Sequence, residues 1–373
     1  MKIDMIELRK QAEEVIARSD PSAIDIFSKV VKQHYVPRRF LLNWALPGSQ
    51  QIAFRYKNED PDVVGVKDVA WKKYNYAYPD LSPSDVKLLI QQVEHAEGVD
   101  REFLSSHYYI AVSLVTQLKL LKGIKDDDTL QVMKMLLDTK DLEPQYRYML
   151  CSAYNGFPDC DLKAKFIHDL ETVVKNGFEG WMTIHENQVN PLFDGIINDG
   201  DLSFWENSEL ACQFLHCISI QLMRTPKYTC HVDDDKSQFV KAHPDLMHFT
   251  RFSCAYLLGK ILVGNRGDYE VSILHNDSQL TFITGDQPLL NLCGETGAFD
   301  LYYPLSPRIA IFYAKKGRLR DTYPWLEVIG PREVDWLNKR LANACVNQVY
   351  ADSKETLLLG GYKAGHRAGI SIE

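Results

Sequence analysis

A histidine, two carboxylic acids and an arginine stand out in this chain for the segments they occupy. His34 lies in Gln33-His34-Tyr35-Val36-Pro37, with Arg38 and Arg39 just beyond it. Asp286 lies in Thr284-Gly285-Asp286-Gln287-Pro288, Arg224 in Gln221-Leu222-Met223-Arg224-Thr225-Pro226, and Glu186 follows His185. An imidazole titrates near neutral pH and can act as general acid, general base or metal ligand. Carboxylates hold hard divalent cations, and a guanidinium presents a fork of donors that matches phosphate or carboxylate. If they converge, His34, Glu186 and Asp286 are the catalytic set, with Glu186 and Asp286 holding a divalent metal such as Mg or Mn that activates water. Gln221 and Arg224 would then orient and neutralise a phosphate, with Arg38 and Gln287 as further substrate contacts.

Each of these side chains also has an architectural reading. Arg224 precedes Pro226 and could bond the last carbonyls of its helix. Asp286 follows a strand, with Gly285 allowing a sharp turn, and an Asp in a tight turn most often accepts from backbone amides. Glu186 is either a carboxylate on an apolar face, which needs an Arg, His or metal partner, or a surface residue. His34 is either an acid–base group or a loop histidine bonded to backbone.

The elements that must position them follow from periodicity. Ala211, Phe214, Leu215, Ile218 and Leu222 form an apolar helical stripe, which puts Gln221 beside it and Arg224 farther round, the two being i, i+3 neighbours. Met182, Val189, Phe193 and Ile196 share a second face with His185 and Glu186 on or next to it, and Pro191 raises the prospect of a kink between the halves. Helices are expected over residues 5–18 and 23–32, and again after Pro37, carrying Phe40, Leu41 and Trp44. Gln51 to Lys57 alternates as a strand, with Val63 to Ala70 as its hairpin partner. From Ser84 the pattern is helical. Strands are expected at Lys260–Val263, Tyr269–Leu274, Gln279–Thr284 and Ile309–Ala314, then a helix from Pro331 through Val334, Leu337, Leu341 and Ala344.

This predicts an α+β protein, predominantly helical, with a small N-terminal hairpin and a C-terminal antiparallel or mixed sheet. With no Ser/Gly/Pro linker, it is read as a single intertwined domain over 1–373, its helical middle at about 84–259 and its β-rich part at about 260–359.

The 373 residues are 45% hydrophobic and 25% charged, a globular composition. A formal charge of −8 argues against a broadly basic nucleic-acid surface and leaves room for a local cationic cleft. The eight cysteines include no CxxC pair, so a zinc cluster is not expected, and none sits in an evidently activating setting. GxSxG, GxGxxG and GxxxxGK[ST] are absent. No stretch reaches the ~18 apolar residues of a membrane span. Met1-Lys2-Ile3-Asp4-Met5 lacks a signal peptide's apolar run, so a cytoplasmic protein without a membrane partner is expected.

The ordered series QHYVPRRFLLNW, the Glu186 helix, QLMRTP, FITGDQP, YYPLSP at 302–307, and Asn347 before an apolar stretch resembles the bacterial domain of unknown function 4238 family. The resemblance runs from about residue 33 to 358. It departs at Gly285, where Ser is usual, and at Arg38, where Gln is common. It implies where a site lies without implying a reaction. The expected function is phosphodiester hydrolysis, in the form of a metal-dependent nuclease of bacterial defence or toxin type, with nucleic acid or a nucleotide as partner. The alternatives are a non-catalytic module sensing a nucleotide or other anion through Arg224, His34 and Arg38, and a purely architectural role for these side chains.

Overall fold

The computed structural model describes residues 30–156, 161–228, 237–293, 299–323 and 329–365, without the side chains of 161, 162, 319 and 320. The helices expected over 5–18 and 23–32 lie, up to residue 29, outside the described residues, while residues 30–32 are not helical and Lys32 opens the strand Lys32–His34. The fold is α+β and mainly helical, with strands near the N-terminus and antiparallel sheets toward the C-terminus. Among the described residues, no helix is long and apolar enough to cross a membrane. The chain clusters into two compact units, each discontinuous in sequence. Among the described residues, one holds 30–33, 73–156, 161–184 and 237–250; the other holds 34–72, 185–228, 251–293, 299–323 and 329–365.

The first unit is helical. Its helix Pro83–His95 starts with Pro at the first turn, where no backbone N–H is missed. Ser82 and Asp85 form a capping box, each side chain accepting from the other's backbone N–H, an arrangement that stabilises the helix by about 1 kcal/mol. Asp85 also meets His243 Nδ1 at 2.5 Å. Along the helix Gly98–Leu121, His107 stacks on Phe103 and Phe178 and meets the edge of Trp181. Gln33 is fully buried here: its amide donates to Lys175 O and accepts from Tyr76 N, so it satisfies backbone groups.

The second unit carries two four-stranded antiparallel sheets. One runs Asp62–Gly65, Gln51–Tyr56, Gln348–Ala351, Thr284–Gly285; the other runs Tyr269–His275, Ile309–Lys315, Leu301–Pro304, Leu290–Asn291. Each sheet has an apolar cluster on both faces. Leu301, Tyr303, Ile311 and Tyr313 join one cluster with Ile52 and Tyr350, and the alternating Tyr302, Ala310, Phe312 and Ala314 join the other with Ala53 and Val349.

Four expected elements differ. Lys260–Val263 is the end of the helix Pro244–Gly264, because the apolar run Leu257 to Val263 does not distinguish a buried helix from a strand. Gly259 suits that helix, since a Cβ there would stand 2.6 Å from His216 Nδ1. Of Gln279–Thr284, only Thr284 enters a strand, as Phe282 N bonds Pro307 O and Ile283 N bonds Asn338 Oδ1 instead. The hairpin's return strand stops at Gly65 and continues as a 3-10 turn, Val66–Asp68. The helix after Pro37 is one α turn, Arg38–Leu41, followed by a 3-10 turn, Leu42–Trp44.

Candidate functional site

The helix Ser208–Met223 begins where the Asn207 side chain accepts from Glu209 N and Leu210 N, and Ala211, Phe214, Leu215 and Ile218 are buried along it. Arg224 is its C-cap, its N–H bonded to Ile220 O. The Arg224 side chain turns inward: it is only 2% exposed and its Nη1 stands 2.6 Å from Glu186 Oε1. Nε donates to Gln221 Oε1 at 3.0 Å, and Gln221 Nε2 donates to Tyr35 O at 3.1 Å. Two groups of that series thus meet through the guanidinium, and the Gln221 amide ties them to the residue after His34.

Glu186 reaches Arg224 because the helix Glu179–Asp199 continues through Pro191, so its two halves are not split into separate helices. Its side chain is 26% exposed, against the near-complete burial of Arg224. Cys217 and Tyr303 lie within electrostatic reach of both; burial pushes the Cys217 thiol up to about 12 and the Tyr303 phenol well above its usual value. On the same elements His185 is depressed to about 4 by burial and by His216, itself lowered by burial. Both imidazoles are therefore held toward the neutral form.

Asp286 takes up the capping role. It is fully buried, with Oδ1 accepting from Val346 N at 2.8 Å and Oδ2 from Asn347 N at 2.7 Å and Gln348 N at 3.1 Å. Burial lifts its carboxyl to about 6 against the downward pull of those three amides. Gly285 before it is required by crowding: a Cβ there would stand 2.3 Å from Cys345 Sγ and 2.7 Å from Gln348 O. Gln287 is also internal, accepting from Thr225 Oγ1 at 2.5 Å and donating to Leu289 O at 2.7 Å. Lys227 stands near Cys345, its ammonium made less basic by burial.

Among the described residues, no group of three or more His, Cys, Asp or Glu is placed to hold a metal ion. His34, Glu186 and Asp286 are therefore not gathered into such a group. The physical reason is that Glu186 is engaged by Arg224 and Asp286 by three backbone amides. His34 ends the strand Lys32–His34 and is half-buried. Arg38 is exposed and donates to Gln50 Oε1, so its partner is a neighbouring surface amide.

Cys293 has charged neighbours, and burial and the Asp300 carboxylate raise its thiol. Cys293 Sγ lies 2.8 Å from Asp300 Oδ2 and 2.9 Å from Arg318 Nη2. No motif signals this grouping, which depends on strand register.

The family profile described as "Protein of unknown function (DUF4238)" matches residues 32–257 and 258–355. No curated protein and no solved structure matches the chain.

Proposed function

We propose, for a chain that belongs to the DUF4238 family of proteins of unknown function, a non-catalytic role in sensing a nucleotide or another anion, with Arg224 as the anion contact. The observation that carries it is the asymmetry of the Arg224–Glu186 pair, an Arg224 side chain 2% exposed against a Glu186 side chain 26% exposed. Gln221 fixes the guanidinium's direction through Nε. A phosphate or carboxylate that displaces Glu186 keeps the buried cation paired, while Glu186 recovers its hydration by turning to water. Glu186 then acts as an internal competitor that sets the affinity. The setting we read for this role is cytoplasmic.

A metal-dependent phosphodiester hydrolase is the less favoured reading, because both carboxylates would have to exchange their present partners for Mg or Mn. Giving up charge-assisted hydrogen bonds costs about 1.5–3 kcal/mol each, and Asp286 accepts three.

Calorimetric titration with inorganic phosphate and a series of nucleoside mono-, di- and triphosphates tests the proposal. Saturable binding is expected, strengthened in Glu186→Gln and weakened at least about tenfold in Arg224→Lys, which loses the planar fork. Absence of binding by every probe, or binding unchanged in a folded Arg224→Lys protein, overturns it. Cleavage of DNA or RNA with Mg or Mn, abolished in Glu186→Ala and Asp286→Ala, decides for the hydrolase.

A further inference from the structure

The chain contains the step Asn-Gly-Phe twice, at Asn155-Gly156-Phe157 and at Asn176-Gly177-Phe178. Glycine after asparagine leaves the next backbone nitrogen open to attack the side-chain amide, since no Cβ shields it. The two steps share that local chemistry, and the fold treats them in opposite ways.

Asn176 is held. It closes the helix Asp161–Asn176, is 6% exposed, and its Oδ1 accepts from Val30 N at 3.2 Å. Gly177 N, the nitrogen that would attack, donates to Val173 O at 2.9 Å. Phe178 N donates to Tyr76 O at 2.9 Å, and a Cβ on Gly177 would stand 1.6 Å from that same oxygen, so the peptide has no room to turn.

Asn155 is the last residue of the helix Pro144–Asn155 and is exposed. Gly156 has left the helical path at φ 89° and ψ 136°, and among the described residues its N–H donates to no carbonyl. The Asn155 C=O, in the last turn, has no intrahelical partner. The Asn155–Gly156 peptide can therefore rotate without breaking a helix bond.

We infer that Asn155 is a site of spontaneous deamidation in the folded protein, through a cyclic imide formed with Gly156. Gly156 N attacks the Asn155 side-chain carbon Cγ. The new N–C bond forms, the Cγ–Nδ2 bond breaks, and the amide proton of Gly156 leaves with Nδ2 as ammonia. Water then opens the ring at either carbonyl, giving aspartate or isoaspartate. No oxidation or reduction occurs, and water is the only co-reactant.

The product adds a negative charge at the C-terminal, negative end of its helix. Lys125 stands beside that end: its ammonium bonds Tyr154 O at 2.6 Å and lies 4.6 Å from the centre of the Tyr154 ring. Both Asn-Gly steps belong to the helical unit, and their behaviour does not bear on anion binding at Arg224.

Incubating the full chain at mildly alkaline pH, with peptide mass spectrometry read at both asparagines, tests the inference. Asn155 is expected to convert at least about tenfold faster than Asn176, because Asn176 reacts only after a hydrogen-bonded, packed segment has opened. In urea the two are expected to convert at similar rates. Isoaspartate, identified by electron-transfer fragmentation, is expected beside aspartate. Equal rates at the two positions in the folded chain overturn the inference, as does an Asn155 that stays intact while the urea-unfolded chain converts. A rate ratio unchanged in urea would trace the difference to the preceding residues, Tyr154 and Lys175, and overturn the part given to the fold. Aspartate without isoaspartate overturns the cyclic route.

Discussion

Arg224 Nη1 stands 2.6 Å from Glu186 Oε1, and the two side chains differ more than tenfold in exposure, 2% against 26%. The pair therefore has a fixed member and a movable one, and substitutions on its two sides should not be equivalent.

Glu186→Leu leaves a buried guanidinium without its carboxylate and is expected to destabilise the protein by about 3 kcal/mol. Arg224→Leu leaves a carboxylate that can turn to water, so a smaller loss is expected. The double substitution should cost less than the sum of the two. Urea unfolding of the three variants reads this directly, and strict additivity would show that the pair is not coupled.

Asp286→Asn keeps the size of the side chain but offers one acceptor oxygen to three amides. A loss of about 3 kcal/mol is expected. Hydrogen exchange at Val346, Asn347 and Gln348 should accelerate more than exchange elsewhere in the same sheet. Protection equal to that of the parent protein at all three amides would count against the carboxylate as their anchor.

Gly285→Ser places a side chain at this position and tests the crowding described above. Its Cβ would meet Cys345 Sγ at 2.3 Å and Gln348 O at 2.7 Å, so roughly 1–3 kcal/mol of destabilisation is expected. A thermal midpoint unchanged within a degree would show that the sheet edge has room to relax.

Acid should weaken the helical unit through His107. Burial depresses its pKa to about 4, below the unfolded value of about 6.5, so the unfolded chain binds the extra proton first. The stabilising contribution is full above pH 6.5 and declines as pH falls toward 4, by up to about 3 kcal/mol. His107→Phe keeps the stack with Phe103 and Phe178 and should flatten this part of the stability–pH curve. A variant curve parallel to the parent's over that range would remove His107 as the cause.

Strands with clear alternation were readable from the sequence: Gln51–Tyr56, Tyr269–His275 and Ile309–Lys315 form close to where period two places them. The helix Pro331–Ala344 was equally readable, with Pro331 in its first turn and its apolar face at Val334, Leu337 and Leu341. The family resemblance was readable from the order of short motifs. Long apolar runs were ambiguous, which is why Lys260–Val263 stays helical. At the site, the i, i+3 spacing predicted the Gln221–Arg224 neighbourhood, and an apolar helix face predicted that Glu186 needs a partner. That this partner is Arg224 depends on how two helices pack. Asp286 was readable as a capping residue, but its amides come from Val346, Asn347 and Gln348, a separation that no local pattern reports. The approach of Cys293 to Arg318 likewise rests on hairpin register.

The sheet that holds Asp286 has a consequence for how the protein is made. Its strand Gln51–Tyr56 leaves the ribosome well before its neighbour Gln348–Ala351 has been translated. Until then the Gln51–Tyr56 edge facing that neighbour has open backbone groups, and the Asp286 carboxylate has no amides to receive. Over that interval the nascent chain must carry an unpaired, partly apolar edge, the kind of surface that chaperones bind.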